Sequence, residues 1–144
     1  MIRVAFRYGD PRLFSRLVSL VQGGDSAHCE VAYYWEGDTY QCVSSSFVDD
    51  GLRKKEIPMP ENKWRIYEVS GKTKDEVLAY YIKHEGSKYD WLGLLGFVIR
   101  RVKGFSKRKF CSEVGAEILG LKDPWRYDLA LLESVCAHIG KRVQ

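Results

Sequence analysis

The sequence predicts an α+β fold in which an antiparallel sheet packs against helices. Short β-rich segments dominate the first half of the chain, whereas segments with apolar residues at helical spacing dominate the second half. The 144 residues contain no internal repeat, low-complexity tract or linker. We therefore expect a single domain over residues 1–144, which is long enough to bury a hydrophobic core without metals or disulfides.

Five strands and one helix are predicted in the first half. The strands are expected at residues 2–7, 28–35, 39–45, 52–57 and 64–69. After the first strand, Pro11 can open a helix that ends at Gly23 and Gly24. The second and third strands are joined by Glu-Gly-Asp, a sequence typical of a hairpin turn.

Four helices are predicted in the second half. The first follows the capping-box sequence Thr73-Lys-Asp-Glu76 and ends near His84, before Gly86. The next covers residues 89–102 and is apolar enough to be buried. The last two are expected at about residues 111–119 and 128–139.

Composition and charge indicate an ordinary globular protein, with 45% apolar and 29% charged residues. The formal net charge of +4 is too small to indicate a nucleic-acid partner, so none is expected. The amino-terminal residues lack signal-peptide features, and the apolar run at residues 91–99 is far shorter than the ~20 residues of a membrane span. We expect a cytoplasmic protein without a transmembrane segment and with reduced cysteines.

Two of the three histidines have a structural explanation. His84 and His138 each lie two residues before a glycine that should end a helix, where a histidine interacts favourably with the helix dipole. His28 begins a strand and lies, together with Glu30, on the less apolar face. It is therefore either a catalytic residue or a hydrogen-bonded surface histidine.

Cys111 has the surroundings of a nucleophile. It stands at the first turn of a predicted helix, separated by one residue from the basic residues 107–109, and both features lower the pKa of a thiol. Cys29 and Cys136 lie on apolar faces and are expected in the core, whereas Cys42 has no activating neighbour. The alternative for Cys111 is a buried structural thiol at a helix start.

Four segments carry a family resemblance: Ser-Ala-His-Cys-Glu-Val-Ala-Tyr-Tyr (26–34), Gln-Cys-Val-Ser-Ser-Ser (41–46), Lys-Tyr-Asp-Trp-Leu-Gly-Leu (88–94) and Phe-Cys-Ser-Glu-Val (110–114). In order and spacing they resemble the circularly permuted papain-like hydrolases. These are relatives of the NlpC-type cell-wall amidases and of the lecithin:retinol acyltransferase-like enzymes. The resemblance covers most of the chain, and it implies a permuted papain-like fold and a bacterial or bacteriophage source.

The resemblance also implies a cysteine hydrolase, an amidase or peptidase acting by acyl transfer, with Cys111 as nucleophile, His28 as base and Gln41 as the third residue that orients the imidazole. The substrate would be a small amide, an ester or a peptide such as a cell-wall peptide, and no cofactor or metal is expected. Two departures stand out. Ala27 separates Ser26 from His28 where the family has Ser next to His, and Gln41 replaces the usual His or Glu.

The position of Gln41 relative to His28 depends on the register of the hairpin. A two-residue turn pairs Tyr34 with Gln41, and we then expect Gln41 on the face of His28. A three-residue turn would place Tyr40 on that face instead.

A dense basic run offers a competing function. It comprises Arg100, Arg101, Lys103, Lys107, Arg108 and Lys109. We interpret it as a solvated loop that also polarises Cys111, and the alternative is a non-catalytic binding module of the same fold that uses the run on an anionic partner. A zinc site formed by His28 and three of the cysteines is not expected, because the close ligand pairs of structural zinc sites are missing.

Overall fold

A six-stranded antiparallel sheet organises the computed structural model, which describes residues 1–9, 25–89 and 108–144. Its strands are β1 (Ile2–Tyr8), β2 (Ser26–Glu36), β3 (Thr39–Ser46), β4 (Gly51–Pro58), β5 (Trp64–Val69) and β8 (Gly140–Arg142). Their spatial order is β4-β3-β2-β1-β5-β8. Two short parallel strands, β6 (Lys88–Tyr89) and β7 (Arg108–Lys109), form a second sheet.

The hairpin predicted between β2 and β3 is present, and of the two turn lengths considered it has the two-residue turn. Gly37 adopts a positive φ of 55°, a conformation that favours glycine over residues with a side chain. On either side of the turn Glu36 pairs with Thr39, and Tyr34 pairs with Gln41. The five strands predicted from the sequence are all present, which confirms the antiparallel sheet.

Three α-helices of the described ranges pack against the sheet: α1 (Lys74–His84), α2 (Cys111–Leu119) and α3 (Leu129–Ile139). The capping box of α1 is confirmed, because Thr73 Oγ1 accepts the Glu76 N–H at 3.3 Å and the Glu76 carboxylate accepts the Thr73 N–H at 2.8 Å. None of these helices has the length and apolar character that a membrane crossing requires. The helix predicted after Pro11 and most of the one predicted at residues 89–102 lie outside the described residues.

Apolar side chains form two clusters on opposite faces of the sheet. The larger cluster lies between the sheet and the helices and includes Val4, Phe6, Cys29, Val31, Val114, Leu132 and Cys136. The smaller cluster consists of Ala5, Ala32, Tyr40, Cys42, Met59, Trp64 and Ile66. Successive strand residues alternate between the two clusters, as they must in a pleated sheet. The expected burial of Cys29 and Cys136 is confirmed.

β2 and β3 separate at the end of β2 that carries His28. The ladder between the two strands begins where Val31 pairs with Val43, although β2 itself begins at Ser26. Residues 26–30 of β2 pair with β1 alone among the described strands, and residues 44–46 of β3 pair with β4 alone. We call this opening, bounded by residues 26–30 and 44–46, the fork.

Candidate active site

Cys111, the first residue of α2, lies at the fork. Two serines of β3 fix the local geometry, because Ser44 Oγ donates to the carbonyl of Cys29 at 2.6 Å and Ser45 Oγ donates to the carbonyl of Lys109 at 2.5 Å. In an extended strand the N–H and C=O of one residue point to the same side. The N–H of Cys29 donates to the sulfur of Cys111. The sulfur therefore occupies a place beside β2 that a strand partner would otherwise take.

The structure brings His28 to Cys111. The imidazole and the sulfur interact through a hydrogen bond and through their charges. Cys111 is only 2% exposed, whereas the side chain of His28 is 22% exposed. The pair therefore meets solvent mainly through the imidazole.

The surroundings of Cys111 favour the thiolate. Burial raises the pKa of this thiol, because a buried thiolate loses its hydration. Hydrogen bonds from the Cys29 thiol and from His28, the charge of His28 and the Cys29 N–H act in the opposite direction and prevail. The pKa of Cys111 is lowered to about 5, so the sulfur is ionised at neutral pH.

Glu30 holds the other side of the imidazole. Its Oε1 lies 2.7 Å from Nε2 of His28, which leaves Nδ1 as the nitrogen that faces the sulfur. Burial lowers the pKa of His28, but the charge of Glu30 and the interactions with Cys111 outweigh it and raise the pKa to about 9. Between the pKa values of Cys111 and His28, the pair exists as a thiolate and an imidazolium.

Arg53 compensates the buried charge of Glu30, which is 1% exposed. The guanidinium donates from Nη1 to Oε2 of Glu30 at 2.7 Å and from Nη2 to Oε1. Burial raises the pKa of Glu30, but the bonds from Arg53 and the charge of His28 lower it overall. Because Arg53 Nε also donates to Asp49 at 3.0 Å, the arginine itself is fixed. A continuous chain of contacts thus runs from Arg53 through Glu30 and His28 to Cys111.

The structure does not bring Gln41 to His28. Gln41 pairs with Tyr34, as a two-residue turn requires, but a β-bulge between Ala32 and Tyr34 adds one residue to β2 and shifts the alternation of its faces. Ala32 pairs with Cys42, so Gln41, its neighbour in the chain, lies on the opposite face from Ala32 and Glu30. Six residues of strand, roughly 20 Å, separate His28 from Tyr34. The expected placement of Gln41 on the His28 face is therefore wrong.

Tyr40, the alternative to Gln41, is also distant from His28. It pairs with Trp35, and its hydroxyl accepts a hydrogen bond from Arg3 at 3.2 Å. The residue that the sequence argument missed is Glu30. Its signal was present, because it follows His28 by two residues and shares its strand face.

The described part of the basic run does not supply the positive charge at Cys111. Lys109 is buried, and its Nζ lies 2.5 Å from Glu117 and 3.8 Å from Glu113. The charge of Lys109 is thus compensated within α2, and the lowered pKa of Cys111 comes from Cys29 and His28 instead. The rest of the run lies outside the described residues, apart from the backbone of Arg108 in β7.

One of the four candidate zinc ligands lies apart from the other three. Cys42 belongs to the smaller cluster, on the opposite face of the sheet from Cys29. Residues 1–9, 25–89 and 108–144 contain no group of three or more His, Cys, Asp or Glu side chains placed to hold a metal ion.

Comparisons with known proteins add nothing to this geometry. No protein-family model matches the chain, and no curated protein matches it.

Proposed function

We propose that the protein is a cysteine hydrolase with a permuted papain-like fold, which cleaves an amide or ester by acyl transfer through Cys111. The observation that carries the proposal is the contact between the sulfur of Cys111, at the start of α2, and the imidazole of His28. A thiolate paired with a protonated imidazole supplies both the nucleophile and the acid that acyl transfer needs. The resemblance to permuted papain-like hydrolases supports the same roles for these two residues.

The first half-reaction forms a thioester. The Cys111 thiolate attacks the carbonyl carbon, a C–S bond forms, and the π electrons of the carbonyl move to its oxygen. The backbone N–H of Cys111, in the first turn of α2, stabilises the resulting oxyanion. When the tetrahedral intermediate collapses, the C–N or C–O bond breaks and the His28 imidazolium protonates the leaving amine or alkoxide.

The second half-reaction restores the site. Neutral His28 accepts a proton from a water molecule as the water attacks the thioester carbon. Collapse breaks the C–S bond, releases the carboxylic acid and returns the thiolate–imidazolium pair. Glu30 is a positioning residue in both steps, because it holds Nε2 of His28 and stabilises the imidazolium. It takes the role that the resemblance assigned to Gln41.

The test is an acyl-enzyme assay with activated aryl esters and short peptide amides. We expect a burst of product and a covalent adduct that mass spectrometry assigns to Cys111. Cys111→Ala and His28→Ala should each abolish turnover without loss of fold, since neither side chain fills a large core volume. Cys42→Ala is the matched control and should keep activity, because Cys42 lies on the opposite face of the sheet.

Two outcomes would contradict the proposal. One is turnover in Cys111→Ala equal to that of the parent protein. The other is the absence of any adduct, together with salt-dependent binding of an anionic polymer that Cys111→Ala retains; this pattern would favour the binding module instead.

A further inference from the structure

The sulfur of Cys29 lies beneath the first turn of α2. A Cβ atom at Gly115 would lie 3.8 Å from Sγ of Cys29. Gly115 follows Cys111 by four residues, so both occupy the same face of the helix. The Cys29 thiol also donates a hydrogen bond to the sulfur of Cys111. The two sulfur atoms are therefore direct neighbours, although their residues are far apart in the chain.

We propose that Cys29 is a resolving cysteine, which closes a reversible disulfide with Cys111 after a hydroperoxide has oxidised Cys111. The inference goes beyond the proposed hydrolase function, because it requires the Cys111 thiolate but no acyl substrate. Burial raises the pKa of the Cys29 thiol whereas the pKa of Cys111 is lowered, so Cys111 is the thiolate that a hydroperoxide oxidises. Neither step of the hydrolytic mechanism uses the Cys29 thiol as a reactant.

The first step is a two-electron oxidation of Cys111. The thiolate attacks one oxygen of the hydroperoxide, an S–O bond forms and the O–O bond breaks. The leaving hydroxide or alkoxide takes the proton of the His28 imidazolium and departs as water or an alcohol. Cys111 is now a sulfenic acid, and His28 is neutral.

The second step joins the two sulfurs. Neutral His28 takes the proton of the Cys29 thiol, and the resulting thiolate attacks the sulfur of the sulfenic acid. The S–S bond forms, the S–O bond breaks, and the departing hydroxide leaves as water with the proton from His28. A thiol reductant reverses the reaction by disulfide exchange. The disulfide also prevents further, irreversible oxidation of Cys111 to the sulfinic acid.

The other two cysteines provide matched controls. Cys42 lies on the opposite face of the sheet, and Cys136 is carried by α3 within the larger cluster. Neither takes part in the hydrogen bonds that lower the pKa of Cys111.

The experiment treats the full chain with hydrogen peroxide and maps its disulfides by mass spectrometry. The parent protein should lose two hydrogen atoms of mass and yield a linked Cys29–Cys111 peptide pair, which dithiothreitol restores. Cys29→Ser should instead accumulate oxygen on Cys111 in a form that dithiothreitol does not remove. Cys136→Ser should behave as the parent does, and thermal melts should show that both variants fold.

Two results would overturn the proposal. The first is a disulfide that maps to another pair of cysteines or does not form at all in the parent protein, a measurement that needs no variant. The second is an irreversible oxidation rate of Cys111 that is the same in folded Cys29→Ser and in the parent. Neither readout involves hydrolysis, so a failure here is distinguishable from a failure of the proposed function.

Discussion

Replacing Glu30 with glutamine removes the buried carboxylate that connects Arg53 to the imidazole. Burial lowers the pKa of His28, and the charge of Glu30 leads the influences that raise it from 6.5 to about 9. A difference of that size favours the imidazolium by about 3 kcal/mol. In Glu30→Gln the negative charge is lost while the cation of Arg53 remains, so we expect the pKa of His28 to fall and the pKa of Cys111 to rise.

The expected change in alkylation rate follows from the ordinary pKa of a thiol and the lowered pKa of Cys111. The pKa of Cys111 is lowered from 9.0 to about 5. Complete loss of that shift would leave about one thiol in a hundred ionised at pH 7. Because the hydrogen bonds from Cys29 remain, we expect the alkylation rate at pH 7 to fall by about 10- to 100-fold.

The assay is the alkylation rate of Cys111 by iodoacetamide, followed by mass spectrometry across the pH range. The parent rate should reach half its maximum near pH 5, and the midpoint for Glu30→Gln should lie at a higher pH. Asp49→Asn is the matched control, because it also removes a carboxylate from Arg53 but does not contact His28.

A second variant guards against loss of fold. Glu30→Gln alone leaves the buried cation of Arg53 without its partner, which is strongly destabilising. The double variant Glu30→Gln with Arg53→Met removes both charges at once. It should show the same upward shift of the alkylation midpoint. If either folded variant keeps the midpoint of the parent protein, Glu30 does not control the ionisation of the site.

Three further outcomes are expected. Hydrolysis of an aryl ester should follow a bell-shaped pH profile, rising as the Cys111 thiol ionises near pH 5 and falling as His28 loses its proton near pH 9; a flat profile across this range would contradict it. Lys109→Met should lower the free energy of unfolding by about 2 kcal/mol in denaturant titrations, because Glu117 loses its charged partner. The alkylation rate of Cys111 should stay close to that of the parent protein, and a large change in it would show that Lys109 polarises the thiol. Gln41→Ala should retain parental turnover, and its inactivation would refute the assignment of Glu30 as the orienting residue.

The elements that could be predicted from the sequence are those decided by neighbours in the chain. The capping box of α1 involves only Thr73 and Glu76, and the hairpin turn requires only Gly37 and Asp38. The start of α2 at Cys111 was predictable for the same reason, since apolar residues at helical spacing follow it directly. Local patterns of this kind persist whatever the rest of the chain does.

The third residue of the site depends on contacts between distant parts of the chain. The bulge at Tyr33 shifts the register of the hairpin, and the alternation of apolar and polar residues along β2 does not predict it. Glu30 is a usable carboxylate only because Arg53, on β4, reaches it across the sheet. In the same way, the sequence shows Lys109 only as one of several neighbouring cations. Its burial against Glu117 depends on the folded structure.

At the fork, the usual relation between the burial of a cysteine and the reactivity of its thiol is reversed. An ordinary buried cysteine reacts faster when its surroundings open, because opening admits the reagent. Cys111 owes its acidity to groups on β2, so any motion that lifts α2 from that strand restores an ordinary thiol. At mildly acidic pH the native molecule should therefore label faster than its partly opened forms. A newly synthesised chain would likewise carry a thiol of ordinary acidity until its carboxy-terminal half has docked on β2.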